Sequence, residues 1–241
     1  MKIELHVHTR FSKDSLLFLW ALYLKCFLEG IDCIAITDHN TISGAERFKK
    51  FCEKRGNKIF VIVGEEISTD AGEVIGLYLT ENIRSNMSPK ETICEIRRQG
   101  GIVYVPHPYD LKRKKTVLEE WCMREYSELI DCAEVHNGRN VSCEYDKEQE
   151  KIVQKYGFVP IIGSDAHTYM ELGRNYMEVM QRPIDAGTFR KVIRNAKFNT
   201  MSCLKGIHVI TKIEKLIKLI VRGNFDEIYR IIIKKFKGRE Y

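Results

Sequence analysis

The sequence predicts an α/β fold in which a mostly parallel sheet either closes into a barrel or stays open. Short apolar runs alternate along the chain with segments of helical spacing, which is the pattern of repeated β-α units. Histidines or acidic residues directly follow several of these runs. They favour closure around one central site, because functional residues of α/β barrels lie at the carboxyl ends of several different strands.

The predicted strands are short and largely apolar. They cover Lys2–Val7, Asp32–Thr37, Ile59–Val63, Glu73–Leu79, Ile102–Val105, Ile130–Val135 and Val159–Ile162. The spacing of apolar residues predicts helices between most of the strands. These helices cover Ser15–Glu29, Thr41–Arg55, the segment from Ser88-Pro89 to Gly100, a segment after the polar stretch Asp110–Thr116, and a long segment that ends at Tyr156.

Length and composition favour one large intracellular domain, or a domain with a short appendage. The longest apolar run, Leu16–Leu24, has nine residues, whereas a membrane helix needs about 18. We expect no secretory signal, because the metal-ligand pair His6 and His8 already lies in that region. The eight cysteines form no CxxC pair, so we interpret them as reduced core residues of a cytoplasmic protein.

The basic charge of the protein is concentrated at its C-terminal end. Residues 202–241 contain ten Lys or Arg and four acidic residues, which accounts for the whole net charge of +6. This shift in composition predicts a domain of residues 1–201 followed by a basic tail of residues 202–241.

Two amphipathic helices are predicted in the tail, on either side of Gly223-Asn224. Their apolar residues recur at helical spacing: Val209, Ile213, Leu216, Ile217 and Ile220, then Phe225, Ile228, Ile232 and Phe236. One interpretation packs these apolar faces on the barrel and leaves the lysines in solvent. The other attaches a basic amphipathic segment to an anionic surface, either lipid headgroups or nucleic acid.

The candidate ligands begin with His6 and His8, which are two residues apart on a strand and therefore project to one face. Further imidazole and carboxylate groups follow later strands: Asp38-His39, Glu65-Glu66, His107 and Asp165-Ala166-His167. Such a set without thiolates suits Zn²⁺, Mn²⁺ or Fe²⁺. It exceeds the needs of one ion, and ions roughly 3.5–4 Å apart activate water and stabilise a phosphoryl group during in-line displacement.

Five motifs in the same order resemble those of the polymerase and histidinol phosphatase (PHP) family. They are His6-Val7-His8-Thr9, Thr37-Asp38-His39-Asn40, Gly64-Glu65-Glu66, His107-Pro108 and Gly163-Ser164-Asp165-Ala166-His167. The resemblance covers roughly residues 1–200. It implies a distorted (β/α)₇ barrel, a trinuclear metal centre and phosphoesterase activity.

The resemblance also implies roles for individual residues. His6, His8, Glu65 and Asp165 would hold a first ion, and Glu65 would bridge to a second ion at His107. A third ion would be held by His39, His167 and Asp14. Glu73 would join the second ion, at a position where many family members carry histidine. Arg139 would contact substrate phosphate. His136 nearby is less usual at its position in the family, and it either contacts substrate or transfers a proton, or is a hydrogen-bonded polar residue.

These expectations describe a metal-dependent hydrolase of phosphate esters with two or three divalent ions. A hydroxide bridging the ions would attack phosphorus at a site completed by Asp165 and His167, while Arg139 offsets the developing charge. Substrates left open are a small phosphomonoester, a nucleotide or short oligonucleotide, and phosphotyrosine. The alternative is a metal-binding regulatory or scaffold module whose basic tail recruits a partner or an anionic surface.

Overall fold

A computed structural model describes residues 1–56, 58–221, 223–224, 226 and 228. The strands within these residues are β1 (Lys2–Val7), β2 (Cys33–Ile36), β3 (Phe60–Thr69), β4 (Gly72–Leu77), β5 (Ile102–Val105), β6 (Cys132–Asn137), β7 (Val159–Gly163), β8 (Tyr176–Glu178) and β9 (Lys197–Asn199). They form one sheet in the order β7-β6-β5-β4-β3-β2-β1-β8-β9. All the predicted strands are present, whereas β8 and β9 were not predicted.

The α-helices of the described residues lie between strands or after them. They are α1 (Leu19–Glu29), α2 (Ser43–Glu53), α3 (Pro89–Arg98), α4 (Glu120–Glu125), α5 (Cys143–Tyr156), α6 (Ala186–Val192) and α7 (Ile207–Val221). α3 has the predicted start, since the Ser88 side chain accepts a hydrogen bond from the Glu91 N–H and Pro89 is the first helical residue. The predicted helix over Ser15–Glu29 begins only at Leu19.

The sheet curves into a nearly closed barrel, which confirms the predicted α/β fold class. β1 to β3 are parallel, as are β5 to β7. β4 is antiparallel to both neighbours, because the tight turn from Thr69 to Gly72 leaves no room for a crossover helix. The open edge is bridged where the His8 N–H donates to the Ala166 carbonyl at 2.8 Å, so the end of β1 meets the residues that follow β7.

An irregularity in β1 turns its histidines into the barrel. Ile3 pairs with Cys33, but the register shifts before Val7 pairs with Ile36. Ile3 lies in the core cluster that draws residues from strands all around the barrel, whereas Val7 packs with α1 and α2 outside it. Residues four apart in a regular strand share a face. The shift therefore reverses the alternation, and His6 and His8 lie opposite Val7, on the interior side.

α7 packs on the barrel with an orientation that neither interpretation of the tail predicted. Its apolar residues Val209, Ile213 and Ile220 are each more than half exposed. Lys218 is buried instead, and its Nζ donates to the carbonyls of Arg10, at 2.7 Å, and of Ser12. The prediction that the apolar face covers the barrel is therefore wrong for α7.

The second predicted tail helix, from Phe225 to Phe236, lies outside the described residues apart from single positions. The boundary after residue 201 stays a prediction, although α7 contacts the loop that follows β1. Among the described residues, no helix combines the length and apolar character needed to cross a membrane. The cysteines carry free thiols, and five of them are buried, as the sequence led us to expect.

A buried bond between the ends of β1 and β2 supports the barrel mouth. Asp38 accepts hydrogen bonds from both the backbone N–H, at 2.5 Å, and the hydroxyl, at 2.6 Å, of Thr9. Gly44, the second residue of α2, packs directly against this pair. A Cβ at Gly44 would lie 1.8 Å from Asp38 Oδ2 and 2.6 Å from Thr9 Oγ1. Glycine is therefore required here to let α2 approach the strand ends.

We expect Gly44→Ala to lower the free energy of unfolding by roughly 2–3 kcal/mol, because the added methyl must displace a buried carboxylate. Gly187→Ala is a matched control, since Gly187 is the second residue of α6 and its Cβ would meet only Asp185 Oδ1, at 3.3 Å. The control should change stability by less than about 1 kcal/mol. Urea unfolding of both variants measures this, and equal losses would contradict the role given to Gly44.

Candidate metal centre

His6 and His8 face each other at the end of β1. Their Nε2 atoms are 3.1 Å apart, and both residues are fully buried. The Nδ1 of His6 lies 2.8 Å from Glu134 Oε1. A carboxylate on Nδ1 favours the tautomer that leaves the Nε2 lone pair directed into the site. The two imidazoles are therefore arranged as a pair of metal ligands would be, and Glu134 fixes the orientation of the His6 ring.

Glu66, not Glu65, is the glutamate that lies among the histidines. Glu66 Oε2 is 3.2 Å from His8 Nε2 and 3.2 Å from His39 Nδ1, while Oε1 is 3.2 Å from His107 Nε2. The expectation for Glu65 was wrong because β3 continues through both residues, and successive side chains of a strand point to opposite faces.

The Glu65 side chain points to the other side of β3. Its Oε2 accepts a hydrogen bond from the Ile83 N–H at 2.9 Å, and its Oε1 has no hydrogen-bond partner among the described residues. Burial raises the pKa of Glu65 to about 7. A carboxyl group held in this way supports the segment around Ile83 rather than the histidine cluster.

Asp14 joins His39 and His167 on the second side of the cluster. Its Oδ2 lies 3.3 Å from His39 Nε2, and its Oδ1 lies 3.4 Å from His167 Nε2. Burial opposes ionisation of Asp14, but the two imidazoles outweigh it and hold its pKa well below the ordinary value. The loop before α1 positions this carboxylate, since the Ser12 hydroxyl donates to Asp14 Oδ1 at 2.9 Å.

Glu73 is brought to the third side of the cluster by the β3–β4 hairpin. Its Oε1 lies 3.7 Å from His39 Nδ1, and its Oε2 lies 3.9 Å from His107 Nε2. Burial and the nearby charge of Glu66 raise the pKa of Glu73 well above its ordinary value. Ligand atoms of Glu66 and Glu73 lie within 4.8 Å of each other, and two ionised carboxylates at this distance are stabilised by either a proton or a cation.

Asp165 completes the ring opposite Glu66. Its Oδ1 lies 3.5 Å from His8 Nε2 and 3.7 Å from His6 Nε2. Asp165 has a φ of +50° and His107 a φ of +30°, values that are uncommon for residues with a side chain. Strained backbone of this kind persists where the surrounding structure requires it, which is often at functional sites.

Arg113 also enters the site, whereas the sequence favoured a solvated loop for its basic run over a rim of the site that attracts anions. Its Nη1 donates to Asp165 Oδ2 at 2.6 Å, its Nε to Asp110 Oδ2 at 2.7 Å, and its Nη2 to Asn137 Oδ1 at 3.3 Å. In the sequence Arg113 stands in the basic run Lys112-Arg113-Lys114-Lys115, which resembles a solvated loop. Asp110, three residues earlier, is the one local signal that this arginine could be held in place.

Arg139 lines the site, but most of its donors are already used. Its Nε donates to Glu171 Oε1 at 2.7 Å, and its Nη2 donates to the Thr211 hydroxyl of α7. Arg139 is 5 % exposed. Arg139 therefore forms a buried ion pair with Glu171 at the cavity wall. The side chain of Arg113, by contrast, is 25 % exposed.

His136 lies apart from the cluster, contrary to the role expected for it. Its Nε2 is 3.0 Å from Asn175 Oδ1, and its Nδ1 is 3.0 Å from Asp146 Oδ2. The register of β6 against β7 shifts between Glu134 and His136. This shift lets Glu134 and Asn137, three residues apart, both point into the site and leaves His136 outside it.

The pKa values of neighbouring histidine rings in the cluster are shifted in opposite directions. Burial disfavours the charged form of His8, but hydrogen bonds to Asp165 and Glu66 raise its pKa to about 9. Burial, with Arg139 nearby, lowers the pKa of His167 to about 4. Burial alone would raise the pKa of Glu66, yet His39 and His6 hold it well below the ordinary value. Such shifts are typical of functional sites.

The donor set fits divalent metal ions. Three overlapping groups each bring their ligand atoms within 4.8 Å of one another: His8, Asp14, His39 and His167; His6, His8 and Glu66; and His39, Glu66 and Glu73. The Nδ1 atoms of His39 and His107 are buried without a hydrogen-bond partner among the described residues. Buried polar atoms are normally satisfied. His39 Nδ1 lies beside Glu66 and Glu73 and is therefore consistent with a bound cation, whereas His107 faces the cluster with its Nε2 and its Nδ1 points elsewhere.

A cavity of about 160 Å³ opens onto the cluster, and its wall includes Arg113 and Arg139. A second cavity of about 350 Å³ shares Asp14, Arg113 and Arg139 with the first, and its outer wall is α7. The cluster is therefore reached through a mouth lined by cationic side chains.

Comparisons with known proteins identify a domain family for this chain. The PHP domain model matches residues 4–238. An uncharacterized protein of Methanocaldococcus jannaschii is 37% identical over 190 residues, which are 77% of this chain and 73% of that protein. The error-prone DNA polymerase of Symbiobacterium thermophilum is 37% identical over 79 residues, 32% of this chain and 7% of the polymerase.

Two solved structures share the fold. One is a two-domain protein containing a predicted PHP-like metal-dependent phosphoesterase from Bacteroides vulgatus, with a TM-score of 0.67, 20% identity, and coverage of 83% of this chain and 64% of that one. The other is PsfC from Pseudomonas syringae, with a TM-score of 0.64, 14% identity, and coverage of 89% and 97%. With the family model matching nearly its whole length, the chain belongs to the PHP domain family.

Proposed function

We propose that this protein is a metal-dependent phosphoesterase. The observation that carries the proposal is the position of Glu66, whose carboxylate lies within 3.5 Å of four imidazoles from different parts of the chain. A carboxylate shared in this way can bridge cations, and paired cations suit phosphoryl chemistry. Membership of the PHP family and the fold of PHP-like phosphoesterases support the same assignment.

The chain offers ligands for two or three divalent ions, of the type of Mn²⁺, Zn²⁺ or Fe²⁺. His6, His8 and Asp165 would hold one ion with Glu66. His107 and Glu73 would hold a second with the same glutamate, and Asp14, His39 and His167 a third. When bound, the ions would supply a hydroxide nucleophile at neutral pH and offset negative charge on the phosphoryl group.

The remaining groups orient the ligands and the substrate. Glu134 fixes His6, and the lowered pKa of His167 keeps its imidazole neutral, so that its Nε2 lone pair is available. Arg113 presents a more exposed guanidinium to the cavity than Arg139 does. Asp165, Asp110 and Asn137 each accept one of its five N–H groups, and the two that remain could contact phosphate oxygens. We propose a phosphomonoester or a nucleotide as substrate. The short likeness to a DNA polymerase is compatible with either.

The alternative of a scaffold that recruits an anionic surface gains no support from α7. Lys218 is buried, and Lys212 and Lys215 line the cavity beside the cluster. α7 therefore directs its lysines toward the candidate site, which favours an enzyme.

Activity is the first test. With added Mn²⁺ the protein should hydrolyse a phosphomonoester such as p-nitrophenyl phosphate. Asp165→Asn and His8→Gln should each reduce kcat/KM by about a thousandfold or more, because each removes a metal ligand from the chemistry. His136→Gln, whose ring is held by Asp146 and Asn175 outside the cavity, should retain kcat/KM within about threefold. Wild-type turnover in the Asp165 and His8 variants would show that the site is wrongly assigned.

Metal content distinguishes the two adjacent glutamates. Glu66→Gln should lose at least one bound ion per chain relative to wild type after Mn²⁺ loading and gel filtration, because an amide is a weaker ligand that carries no charge. Glu65→Gln is the matched control, since glutamine can still accept the Ile83 hydrogen bond, and it should retain the wild-type metal content. Elemental analysis measures both, and metal loss confined to the Glu65 variant would restore the assignment made from sequence.

Arg113 should matter more than its neighbours in the basic run. Arg113→Gln should lower kcat/KM for a phosphomonoester by about 30-fold or more, because it removes a cation at the cavity and its bond to Asp165. Lys114→Gln changes the net charge by the same amount at an exposed position, and it should alter kcat/KM by less than about twofold. Equal effects in the two variants would mean that only the general positive field of the loop acts on the substrate.

A further inference from the structure

α7 buries Ile207 and Leu219, but it places a largely polar face against the barrel mouth and most of its apolar residues in solvent. The residues of α7 that line the 350 Å³ cavity are His208, Thr211, Lys212 and Lys215. Their spacing of three and four residues places them on one side of the helix. The opposite side carries Val209, Ile213 and Ile220, which are 52 to 59 % exposed. This is the reverse of an ordinary surface helix, whose apolar stripe faces the core.

Buried polar contacts hold α7 in this orientation. Lys218 donates to the carbonyls of Arg10 and Ser12 in the loop that leads to Asp14. Glu214 accepts a hydrogen bond from the Leu16 N–H at 3.2 Å. His208 Nε2 lies 3.2 Å from the Arg139 carbonyl. The wall is therefore a fixed part of the mouth, supported by bonds along the whole length of the helix.

The cavity behind this wall is strongly cationic. Five of the side chains that line it are basic, namely Lys112, Arg113, Arg139, Lys212 and Lys215. The two acidic side chains and the two arginines that line it are paired. Asp110 binds Arg113 and the Lys112 N–H, Asp14 lies against His39 and His167, Arg113 also binds Asp165, and Arg139 binds Glu171. The excess of positive charge is therefore carried by Lys112, Lys212 and Lys215. A cleft lined by one sign of charge attracts and concentrates ligands of the other sign.

We propose that this cavity is a second anion subsite, so that the preferred substrate carries another phosphate group beyond the one that is hydrolysed. The inference rests on the proposed function, because the two cavities share Asp14, Arg113 and Arg139 and one ligand would extend across both. The scissile phosphate lies at the cluster, and the second phosphate contacts Lys212 and Lys215 of α7 and Lys112 of the facing loop. A volume of about 350 Å³ is that of a small-molecule pocket, which favours a compact bisphosphorylated substrate.

The test compares 1,4-butanediol bisphosphate with butyl phosphate, using full-length protein loaded with Mn²⁺. Wild type should show a kcat/KM at least about tenfold higher for the bisphosphate, mainly through a lower KM, since the second phosphate gains charge-assisted hydrogen bonds. The double variant Lys212→Gln/Lys215→Gln should lose about fivefold or more of this preference. Lys205→Gln, an exposed lysine before α7 that does not line the cavity, should keep it.

A further comparison tests whether the second phosphate belongs to a small molecule or to a nucleic-acid backbone. If a 5′-phosphorylated dinucleotide is preferred to the bisphosphate by wild type and loses that preference in the double variant, the subsite binds a nucleic-acid backbone, which overturns the small-molecule assignment. Equal kcat/KM for the bisphosphate and butyl phosphate in wild type would overturn the subsite itself.

Calorimetric titration of 1,4-butanediol bisphosphate keeps the two proposals distinguishable. If wild type hydrolyses no ester but binds the bisphosphate at least about fivefold more tightly than the double variant does, the subsite stands and the proposed phosphoesterase activity fails. If wild type turns over butyl phosphate but binds the bisphosphate no more tightly than the double variant, the phosphoesterase stands and the subsite fails.

Discussion

The barrel mouth depends on one buried carboxylate, that of Glu134. It lies 2.8 Å from His6 Nδ1 and accepts hydrogen bonds from the His107 N–H at 2.6 Å, from Asn137 Nδ2 at 2.7 Å and from the Tyr104 hydroxyl. These contacts tie β1, β5 and β6 together at the height of the histidine cluster. A buried charge is tolerated only when it is fully bonded, and here that requirement also orients two candidate ligands. Gly163 makes the arrangement possible, because a Cβ there would lie 1.8 Å from Glu134 Oε1.

Glu134 supports the histidine cluster. Within that cluster, the protein alone compensates the charges of the side chains only partly. His8 has a pKa of about 9 and His167 a pKa of about 4, although their ring centroids are 4.1 Å apart. Protonating both rings would place like charges together, whereas leaving both neutral would leave Glu66 and Asp165 with fewer partners. Divalent ions would resolve the conflict, because a cation can replace the proton on every ring that binds it. The histidines and carboxylates that produce this unfavourable charge distribution are therefore the same groups that the proposed metal ions would bind.

α7 connects the C-terminal segment to this site. The sequence shows an amphipathic helix with a lysine-rich face, and the usual expectation is that such lysines lie in solvent. The structure turns them toward the mouth, where Lys218 binds backbone carbonyls and Thr211 accepts a hydrogen bond from Arg139. α7 therefore contributes to the shape and charge of the mouth of the candidate site, although it has no candidate ligand of its own.

The sequence by itself determined the fold class and the family, because hydrophobic periodicity and histidines after strands are local properties of the chain. It also nominated His6, His8, Asp14, Glu73 and Asp165 as ligands. These side chains lie together in the cluster, and their role as ligands stays a prediction. Other assignments depended on the tertiary structure. The continuation of β3 selected Glu66 over Glu65, and the register shift in β6 turned His136 away from the site. The partner of Arg113 is Asp165, 52 residues further along the chain. Neighbouring strands decide which face of a strand each residue occupies, and the fold decides which distant residues pair. Local sequence patterns could therefore reveal neither.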